Sequence, residues 1–296
     1  MARERILVLA EGQLGDLLIL TPALRALKES FPAGTLTVLV AQRRRYDRDQ
    51  PPAGVLQVAA SGTSEVLLRS PWVDEVMEVD RALLRRLPPL ARLRAESLIF
   101  RWLFRGRFTR AVCTFPQERF LLWAVATGAR VRVGQRDQPR SFLLTHRPDL
   151  DRRKGGVLRY YCDLAEAAGA RVRSMATEYA VSDEARVWAK AALRELGFRP
   201  GAPLLVVHPG ASGPYRVWPP ERYAALIARL REKGVGVLLC GTAFDRAVIE
   251  EVQRHSRISL PALDPGASVD RLAAILEQAA VVVSNDSGPR HLAVAQ

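Results

Sequence analysis

The sequence has little cysteine and no long apolar segment. Its 296 residues include three cysteines, and Cys113, Cys162 and Cys240 form no CxxC pair. Each lies in an apolar stretch, which predicts buried thiols and argues against a disulfide framework and a zinc site. The longest nearly uncharged apolar stretch, 120–129, is much shorter than the roughly 20 residues that a transmembrane helix needs. The sequence therefore predicts a globular chain that does not cross a membrane.

The beginning of the sequence lacks the long apolar run of a secretory signal. Charged residues at 3–5 precede only five apolar residues, 6–10, before Glu11 interrupts the run. Because a signal peptide needs a longer apolar region, we expect the protein in the cytoplasm. Hydrophobic residues make up 48% and charged residues 25% of the chain, values typical of soluble globular proteins.

Positive charge is concentrated in the first part of the sequence. Residues 1–176 hold 30 basic and 18 acidic side chains, a net charge of +12, whereas residues 177–296 hold 14 and 13, a net charge of +1. Such a field concentrates anionic ligands: nucleic acid, an acidic membrane surface, or a phosphorylated lipid or sugar. No nucleic-acid-reading motif or interleaved aromatic surface accompanies the charge, so we expect no nucleic-acid partner.

The stretch 81–107 is the most basic part of the chain, with eight arginines and one glutamate among leucine and aromatic residues. This composition suits a basic amphipathic element that lies on a bilayer surface. An ordinary core helix with an arginine-rich solvated face has the same composition. Both interpretations stay open.

Short apolar runs rich in β-branched residues alternate with longer helical patterns, which predicts parallel strands joined by crossover helices. Strands are predicted at 5–10, 35–41, 110–114, 130–133, 203–208, 235–240 and 279–284. Helices are predicted at 16–30, 61–69, 90–104, 118–127, 156–169, 183–196, 220–233, 244–254, 269–277 and from about 287. Because the pattern restarts after 173–180, we predict two Rossmann-like, doubly wound α/β domains, 1–176 and 177–296.

The boundaries of these helices carry the expected residue types. Asp16 and Asp183 are candidate N-caps, Pro220 occupies a first-turn position, and Gly169, Gly197 and Gly234 follow last turns. Residues 43–52 have no apolar period and end in two prolines, so we predict a mobile loop there.

Ligands of open α/β sheets bind beyond the carboxyl ends of the strands, so the loops there are the candidate sites. After the first strand, Gly12 and Gly15 allow the backbone to approach a ligand, with Gln13 between them. Asp16 falls where the helix starts. Its carboxylate either caps the helix or projects into an interdomain cleft as a general base.

The loop 208–219 places small residues, a hydroxyl and an arginine after a buried strand. The guanidinium of Arg216 suits phosphate oxygens, and Ser212 can donate to the same group. Trp218 is expected to anchor the loop, and His208 to be a hydrogen-bonded packing residue. The next loop, with Thr242, predicts by itself only a tight turn.

The loop 284–291 leads into a predicted helix whose backbone N–H groups suit an anion. Ser287 and Gly288 let a pyrophosphate come close, whereas Asp286 would repel it and is expected to face a ribose or sugar hydroxyl. A simple capping turn is the alternative. The Asp-x-Asp pairs at 47/49 and 149/151 do not end an apolar strand, so we predict no metal site.

Four segments together resemble the family 9 glycosyltransferases, the bacterial lipopolysaccharide heptosyltransferases of GT-B fold. They are ILVLAEGQLGDLLILTPALRALKESFP at 6–32, SPWVDEV at 70–76, VVHPGASGPYRVWPPERYAALIARL at 206–230 and VVVSNDSGPRHLAVA at 281–295. Arg216 stands where the family commonly has a lysine. The family usually continues several dozen residues past the last segment, so we expect a truncated second domain.

The resemblance implies an inverting, metal-independent transfer of a sugar, with ADP-heptose as the expected donor and a lipopolysaccharide core or other anionic glycan as acceptor. No cofactor is implied. Asp16 would be the catalytic base, with Gly12, Gln13 and Gly15 on the acceptor side. The donor would be bound by Ser212, Arg216, Thr242, Asp286, Ser287, Gly288 and His291. The expected location is cytoplasmic, at the inner face of the membrane, with contact through 81–107. A nucleotide-sugar-binding module without turnover is the alternative.

Overall fold

The computed structural model describes residues 3–42, 54–59, 62–150, 152–211, 213–266 and 268–296. The chain forms two compact units, Met1–Thr177 and Glu178–Gln296. The loop predicted at 43–52, with Asp47 and Asp49, lies outside the described residues, as do Asp151 and Ser212. Among the described residues, no helix combines the length and the apolarity that crossing a membrane would require.

Unit 1 is built on a six-stranded sheet in the order β3-β4-β2-β1-β5-β6, in which only β3 runs antiparallel to its neighbour. The strands are β1 Arg5–Glu11, β2 Thr35–Gln42, β3 Leu56–Val58, β4 Glu75–Asp80, β5 Arg110–Cys113 and β6 Val131–Val133. The helices are α1 Leu14–Ser30, α2 Glu65–Leu68, α3 Arg81–Arg86, α4 Pro89–Arg105, α5 Glu118–Ala126 and α6 Arg152–Ala167. The parallel crossovers leave β1 and β2 buried on both faces, which explains their continuous apolar sequence.

Unit 2 has a four-stranded parallel sheet in the order β10-β7-β8-β9. Its strands are β7 Leu204–His208, β8 Gly236–Cys240, β9 Ala262–Leu263 and β10 Val281–Ser284. Its helices are α7 Asp183–Glu195, α8 Pro220–Arg231, α9 Arg246–Ser256, α10 Val269–Glu277 and α11 Gly288–Val294. A core of Leu205, Val207, Ile227, Leu239 and Val252 lies between this sheet and its helices.

Two predicted helix caps are wrong. Helix α1 begins at Leu14 after Gln13, so Asp16 lies inside the first turn. Helix α7 is capped by Ser182, whose hydroxyl accepts a hydrogen bond from the Ala185 amide at 3.1 Å. An N-cap needs extended backbone and a side-chain acceptor, and Ser182 provides both one residue before Asp183.

The predicted helix ends and buried thiols are confirmed where the structure describes them. Gly169, Gly197 and Gly234 adopt φ angles of 90°, 82° and 78°, the left-handed conformation that ends a helix. All three cysteines are buried and free. Burial raises the pKa of Cys113 and Cys240 to about 12, so these thiols stay protonated.

A buried polar network lies beneath the loop that joins β1 to α1. The side-chain amide nitrogen of Gln42 lies 3.1 Å from the hydroxyls of Thr63 and Ser64 and from a carboxylate oxygen of Glu78. Thr63 donates a hydrogen bond of 2.9 Å to the carbonyl of Gly12. Glu78 and Ser64 are fully buried. The network therefore fixes the loop from below.

Gly12→Ala tests whether this packing is as tight as the distances indicate. A Cβ at residue 12 would lie 2.5 Å from Cδ of Gln42, and Gln42 is buried, so moving its side chain aside would break its hydrogen bonds to Thr63, Ser64 and Glu78. We expect a loss of about 1–3 kcal/mol in the free energy of unfolding, measured in urea. Gly54→Ala is the matched control, because a Cβ there would lie 3.8 Å from the carbonyl oxygen of Leu56, its nearest neighbour in the described part of the chain. Equal stability of the two variants would contradict the prediction.

Candidate functional site

The β1–α1 loop and the first turn of α1 hold the three predicted acceptor-side residues, Gly12, Gln13 and Gly15, and the predicted base, Asp16. Gly12 donates a backbone hydrogen bond of 3.2 Å to Ala41, at the end of β2. Gln13 is exposed, and Gly15 and Asp16 are half-buried. The first turn of a helix carries partial positive charge, so it favours the ionised carboxylate of Asp16. A half-buried acidic residue therefore lies at the carboxyl edge of the unit 1 sheet.

A second carboxylate at this edge, which is buried, belongs to Glu11, the last residue of β1. Its oxygen lies 2.9 Å from the guanidinium of Arg81 and accepts a further hydrogen bond from the side chain of Gln117. Arg81 follows β4 directly and is nearly buried by this pairing. The first arginine of the basic stretch 81–107 is therefore directed into the protein, and its charge does not belong to the solvated surface.

In unit 2, the side chain of Asn285 joins the loops that follow β7 and β10. Its oxygen accepts hydrogen bonds from the Trp218 backbone amide at 3.0 Å and from the Tyr223 hydroxyl at 2.9 Å. Its nitrogen lies 2.7 Å from the carbonyl of Pro209 and 3.3 Å from that of Gly210. Both acceptor positions and both donors of the amide are engaged. The anchoring role predicted for Trp218 is confirmed, and its ring meets Tyr223 edge-on at 4.7 Å.

Sequence reasoning missed Asn285 as a structural link, although it directly precedes the predicted site residues Asp286 and Ser287. The signal available in the sequence was an amide side chain at the end of a β-rich strand, followed by Asp286. An amide can satisfy two loops at once only if both loops reach it, and the sequence does not show which loops converge. The residue is buried, so its hydrogen bonds are shielded from water.

Two guanidinium groups flank Asp286. Arg290 lies 2.8 Å from one carboxylate oxygen, and Arg216, in the short 3₁₀ turn Pro214–Arg216, lies 4.0 Å from the other. These contacts offset the negative charge that was expected to repel a phosphate. Arg290 was not among the predicted site residues. The structure brings Arg216 and Asp286 together and adds this second arginine.

The start of α11 carries the remaining predicted residues of this loop. Ser287 precedes the helix without a side-chain capping bond, and its hydroxyl donates to the Asn285 carbonyl at 3.3 Å. Gly288 begins the helix. Burial lowers the pKa of His291 below its ordinary value of 6.5, and the charge of Arg290 lowers it further against an opposing effect of Asp286. The imidazole is therefore neutral at pH 7.

Thr242 lies at the same sheet edge, in a cluster with Asp245 and His208. The hydroxyl and the amide of Thr242 donate to one oxygen of Asp245, at 3.1 and 2.9 Å. The Nε2 atom of His208 lies 3.6 Å from the same oxygen. A Cβ on Gly210 would come within 2.5 Å of the Asp245 carboxyl carbon. Asp245 therefore packs the β8 loop against the β7 loop.

The described residues contain no group of three His, Cys, Asp or Glu side chains placed to hold a metal ion. Asp149, one of the Asp-x-Asp residues, pairs at the surface with Arg136 at 3.5 Å. Ser212 cannot be placed relative to the other donor-side candidates, because it lies outside the described part of the chain.

Asp245→Asn tests the cluster through its pH dependence. Burial acts to raise the pKa of Asp245, but the nearby imidazole of His208 and the hydrogen bonds from Thr242 outweigh it, so the pKa lies below the ordinary 3.8. A carboxylate with a lowered pKa stabilises the fold above its unfolded pKa and loses that contribution as the pH falls through the folded value. We expect wild type to lose stability below about pH 4 more steeply than the variant, measured by urea unfolding at several pH values. Asp264→Asn, at an exposed carboxylate, is the control, and its free energy of unfolding should fall with decreasing pH as steeply as that of wild type. The same steepness in Asp245→Asn would contradict the prediction.

Comparisons with known proteins agree with these two α/β units. The model of glycosyltransferase family 9 (heptosyltransferase) matches residues 121–296. Lipooligosaccharide heptosyltransferase 2 of Haemophilus ducreyi is 33% identical over 98 residues, which are 31% of this chain. The matched part spans only 28% of that relative.

Solved structures of low identity share the fold over nearly the whole chain. A family 9 glycosyltransferase from Veillonella parvula has a TM-score of 0.79 at 21% identity, covering 99% of this chain and 78% of that one. The E. coli heptosyltransferase WaaC, solved with ADP-2-deoxy-2-fluoro heptose, has a TM-score of 0.71 at 18% identity, covering 98% and 85%. The predicted GT-B class of α/β fold is thereby confirmed. Since the family model matches more than half of its residues, the chain belongs to glycosyltransferase family 9, the heptosyltransferase family.

Proposed function

We propose that this protein transfers a sugar from a nucleoside diphosphate sugar to a hydroxyl group of an anionic glycan. The transfer would invert the configuration at the anomeric carbon and would need no metal ion. The expected donor is ADP-heptose, and the expected acceptor is a lipopolysaccharide core or a related anionic glycan. Membership of family 9 supports the reaction class. The names of the Haemophilus relative and of the E. coli enzyme solved with an ADP-heptose analogue support the substrates.

The observation that carries the proposal is the pair of guanidinium groups beside the loops joined by Asn285. Arg216 is half-exposed and Arg290 is exposed, and Asp286 is their anionic partner in the described structure. Guanidinium groups bind phosphate oxygens through paired hydrogen bonds. The diphosphate group of the donor would compete with Asp286 for both arginines. The carboxylate of Asp286 would then be available to accept a hydrogen bond from a ribose or sugar hydroxyl.

The other donor-side candidates complete this part of the proposal. Ser287 and His291 would donate hydrogen bonds to the diphosphate, and Gly288 would allow its close approach. Ser212 is proposed to donate a hydrogen bond to the diphosphate as well, and Thr242 would lie at the margin of the site. His291 is neutral at pH 7 in the absence of ligand, and the negative charge of a bound diphosphate would favour its protonation. The protonated imidazole would then stabilise the negative charge that develops on the leaving group.

Asp16 is proposed as the general base. It would take the proton of the acceptor hydroxyl while that oxygen bonds to the anomeric carbon and the bond from this carbon to the diphosphate breaks. The nucleoside diphosphate then leaves with the bonding electrons, and attack from the opposite side inverts the anomeric centre. Gly12 and Gly15 would allow the acceptor to approach the carboxylate, and Gln13 would offer its amide.

The distribution of charge supports the assignment of the acceptor to residues 1–176 and of the donor to residues 177–296. The first region has a net charge of +12, which attracts an anionic acceptor, and the second has +1. A lipid-linked acceptor would place the protein in the cytoplasm, at the inner face of the membrane, with membrane contact through 81–107.

Asp16→Asn tests the general base. Turnover with ADP-heptose and a heptose-deficient lipooligosaccharide should fall by roughly 10²–10⁴-fold, whereas the affinity for ADP should stay unchanged. ADP release measures the first quantity and titration calorimetry the second. Asp183→Asn is the matched control, because it removes an acid from the first turn of α7, outside the candidate site, and should not affect turnover.

Full turnover in Asp16→Asn would show that this carboxylate only stabilises the start of α1. Wild-type protein that binds ADP but transfers no sugar would instead favour a nucleotide-sugar-binding module without turnover.

Arg216→Ala tests the diphosphate site. Loss of charged hydrogen bonds to phosphate should weaken ADP binding by about tenfold to a hundredfold in calorimetry. Arg216→Lys keeps the charge and should retain part of the affinity. Arg222→Ala, at an exposed arginine of α8, is the control and should bind ADP like wild type. Unchanged affinity in Arg216→Ala would exclude this residue from the site.

A further inference from the structure

Helix α4 has an apolar stripe on each of two opposite faces. Ala95, Ile99 and Leu103 are buried in the core of unit 1. The remaining large apolar residues are not buried with them: Leu90 and Phe104 are 75% and 71% exposed, and Leu93, Leu98 and Phe100 are exposed as well. An ordinary core helix has one apolar stripe and a polar outer face. The outer face of α4 therefore needs a different explanation.

Four of these exposed apolar residues form a row along one face of the helix. Leu90, Leu93, Phe100 and Phe104 are separated by three, seven and four positions, which places them on one face. Ser97 occupies the gap in this row, and its hydroxyl donates to the Leu93 carbonyl at 2.8 Å, so its polar group is satisfied within the helix. The row extends over about 21 Å of helix. We call Leu90, Leu93, Phe100 and Phe104 the outer row.

Arginine side chains border the outer row. Arg94, Arg101 and Arg105 are exposed on the same helix, and each directly follows a residue of the row. Because consecutive helical residues are about 100° apart, the three arginines lie along one side of the row. Glu96 is the one acidic residue of α4, and it is paired with Arg119 of α5 at 3.0 Å. The border of the row therefore presents positive charge, with the local acid already neutralised.

We propose that the outer row binds the surface of an anionic phospholipid bilayer, with α4 lying parallel to the membrane plane. The leucine and phenylalanine side chains would enter the boundary between head groups and acyl chains, and the arginines would contact lipid phosphates. A second copy of the chain fits the face less well, because antiparallel packing of two outer rows would bring their arginine borders together. An anionic surface complements the same charges.

This inference narrows the membrane contact proposed for 81–107 to one face of one helix. Arg81 is turned inward to Glu11 and does not take part. The inference names a lipid-surface partner for the proposed glycolipid glycosyltransferase, but vesicle binding does not require sugar transfer. The two can therefore fail separately: a protein that binds vesicles without turnover would keep this inference and lose the proposed reaction.

The test is cosedimentation of the full chain with vesicles, and it uses two double variants. L93S/F104S removes apolar area from the outer row, and R94Q/R101Q removes charge from its border. Wild type should pellet with mixed phosphatidylglycerol and phosphatidylcholine vesicles, pellet much less with phosphatidylcholine alone, and be released only in part by salt, because the apolar contacts are not screened. R94Q/R101Q should lower the partition coefficient by about fivefold for each arginine removed. L93S/F104S should abolish the salt-resistant fraction.

Two control variants separate a specific face from general basicity and apolarity. R229Q/R231Q removes two exposed arginines of α8, and Val187→Ser removes an exposed apolar residue of α7. Both should pellet like wild type. ADP affinity and urea unfolding should be unchanged in all variants, which excludes loss of folding as the cause.

Three results would overturn the inference. One is absence of binding to the anionic vesicles. Another is equal loss in the α4 and α8 arginine variants, which would show that net charge alone attracts the protein. The third is a concentration-dependent dimer that L93S/F104S dissociates while the vesicles stay unbound, because the outer row would then be an interface between copies of the chain.

Discussion

The buried side-chain amide of Asn285 is the interaction on which the candidate donor site depends. It holds the loop after β7 and the loop after β10 by hydrogen bonds to Trp218, Tyr223, Pro209 and Gly210. Without it, both loops would have buried polar groups with no partner, which costs more than the bonds themselves contribute. The positions of Arg216 and Arg290 follow from this constraint, since Arg216 lies in the first of these loops and Arg290 in the first turn of α11, directly after the second.

Unit 1 also has a buried side-chain amide that holds a loop in place, that of Gln42. The amide of Gln42 lies beneath the β1–α1 loop and links Thr63, Ser64 and Glu78. A primary amide offers two donors and two acceptors without a net charge, so it can be buried at lower cost than an ion and can still join several chain segments. In both units a loop that follows a central parallel strand is fixed from the protein side, which leaves its other side available for a ligand.

The sequence was most informative where burial is continuous. Strands β1, β2, β7 and β8 are apolar runs, and the predicted strands lie within one or two residues of them. Strand β4 was missed because Glu75 and Glu78 interrupt its apolar pattern. In the structure, these acids are satisfied by Thr37 and by the Gln42 network. A buried acid can be recognised from sequence only if its partners are known, and those partners lie on other elements.

The candidate site shows the same division between local and distant information. Glycine, arginine and aspartate at strand ends indicated the loops correctly, because sheet topology brings the carboxyl ends of parallel strands to one edge. The caps at Asp16 and Asp183 were wrong by one to three residues, because the neighbouring backbone decides where a helix begins. Asn285, Asp245 and Arg290 went unnoticed because their importance comes from contacts across loops. The donor and acceptor roles themselves stay predictions.

Net charge is a poor guide to the electrostatic surface until internal pairing is known. Of the basic residues in unit 1, Arg81 pairs with buried Glu11, and Arg110 pairs with Glu4 and lies over the ring of Phe31. Such arginines add to the net charge of unit 1 but hardly to the electrostatic potential outside the protein, because an opposite charge lies within a few ångströms of each. Arg94, Arg101 and Arg105 differ because the one acid on their helix is already paired with Arg119. The charge of these three arginines therefore lies beside the exposed leucine and phenylalanine side chains of α4, where charge and apolar area can act on the same surface.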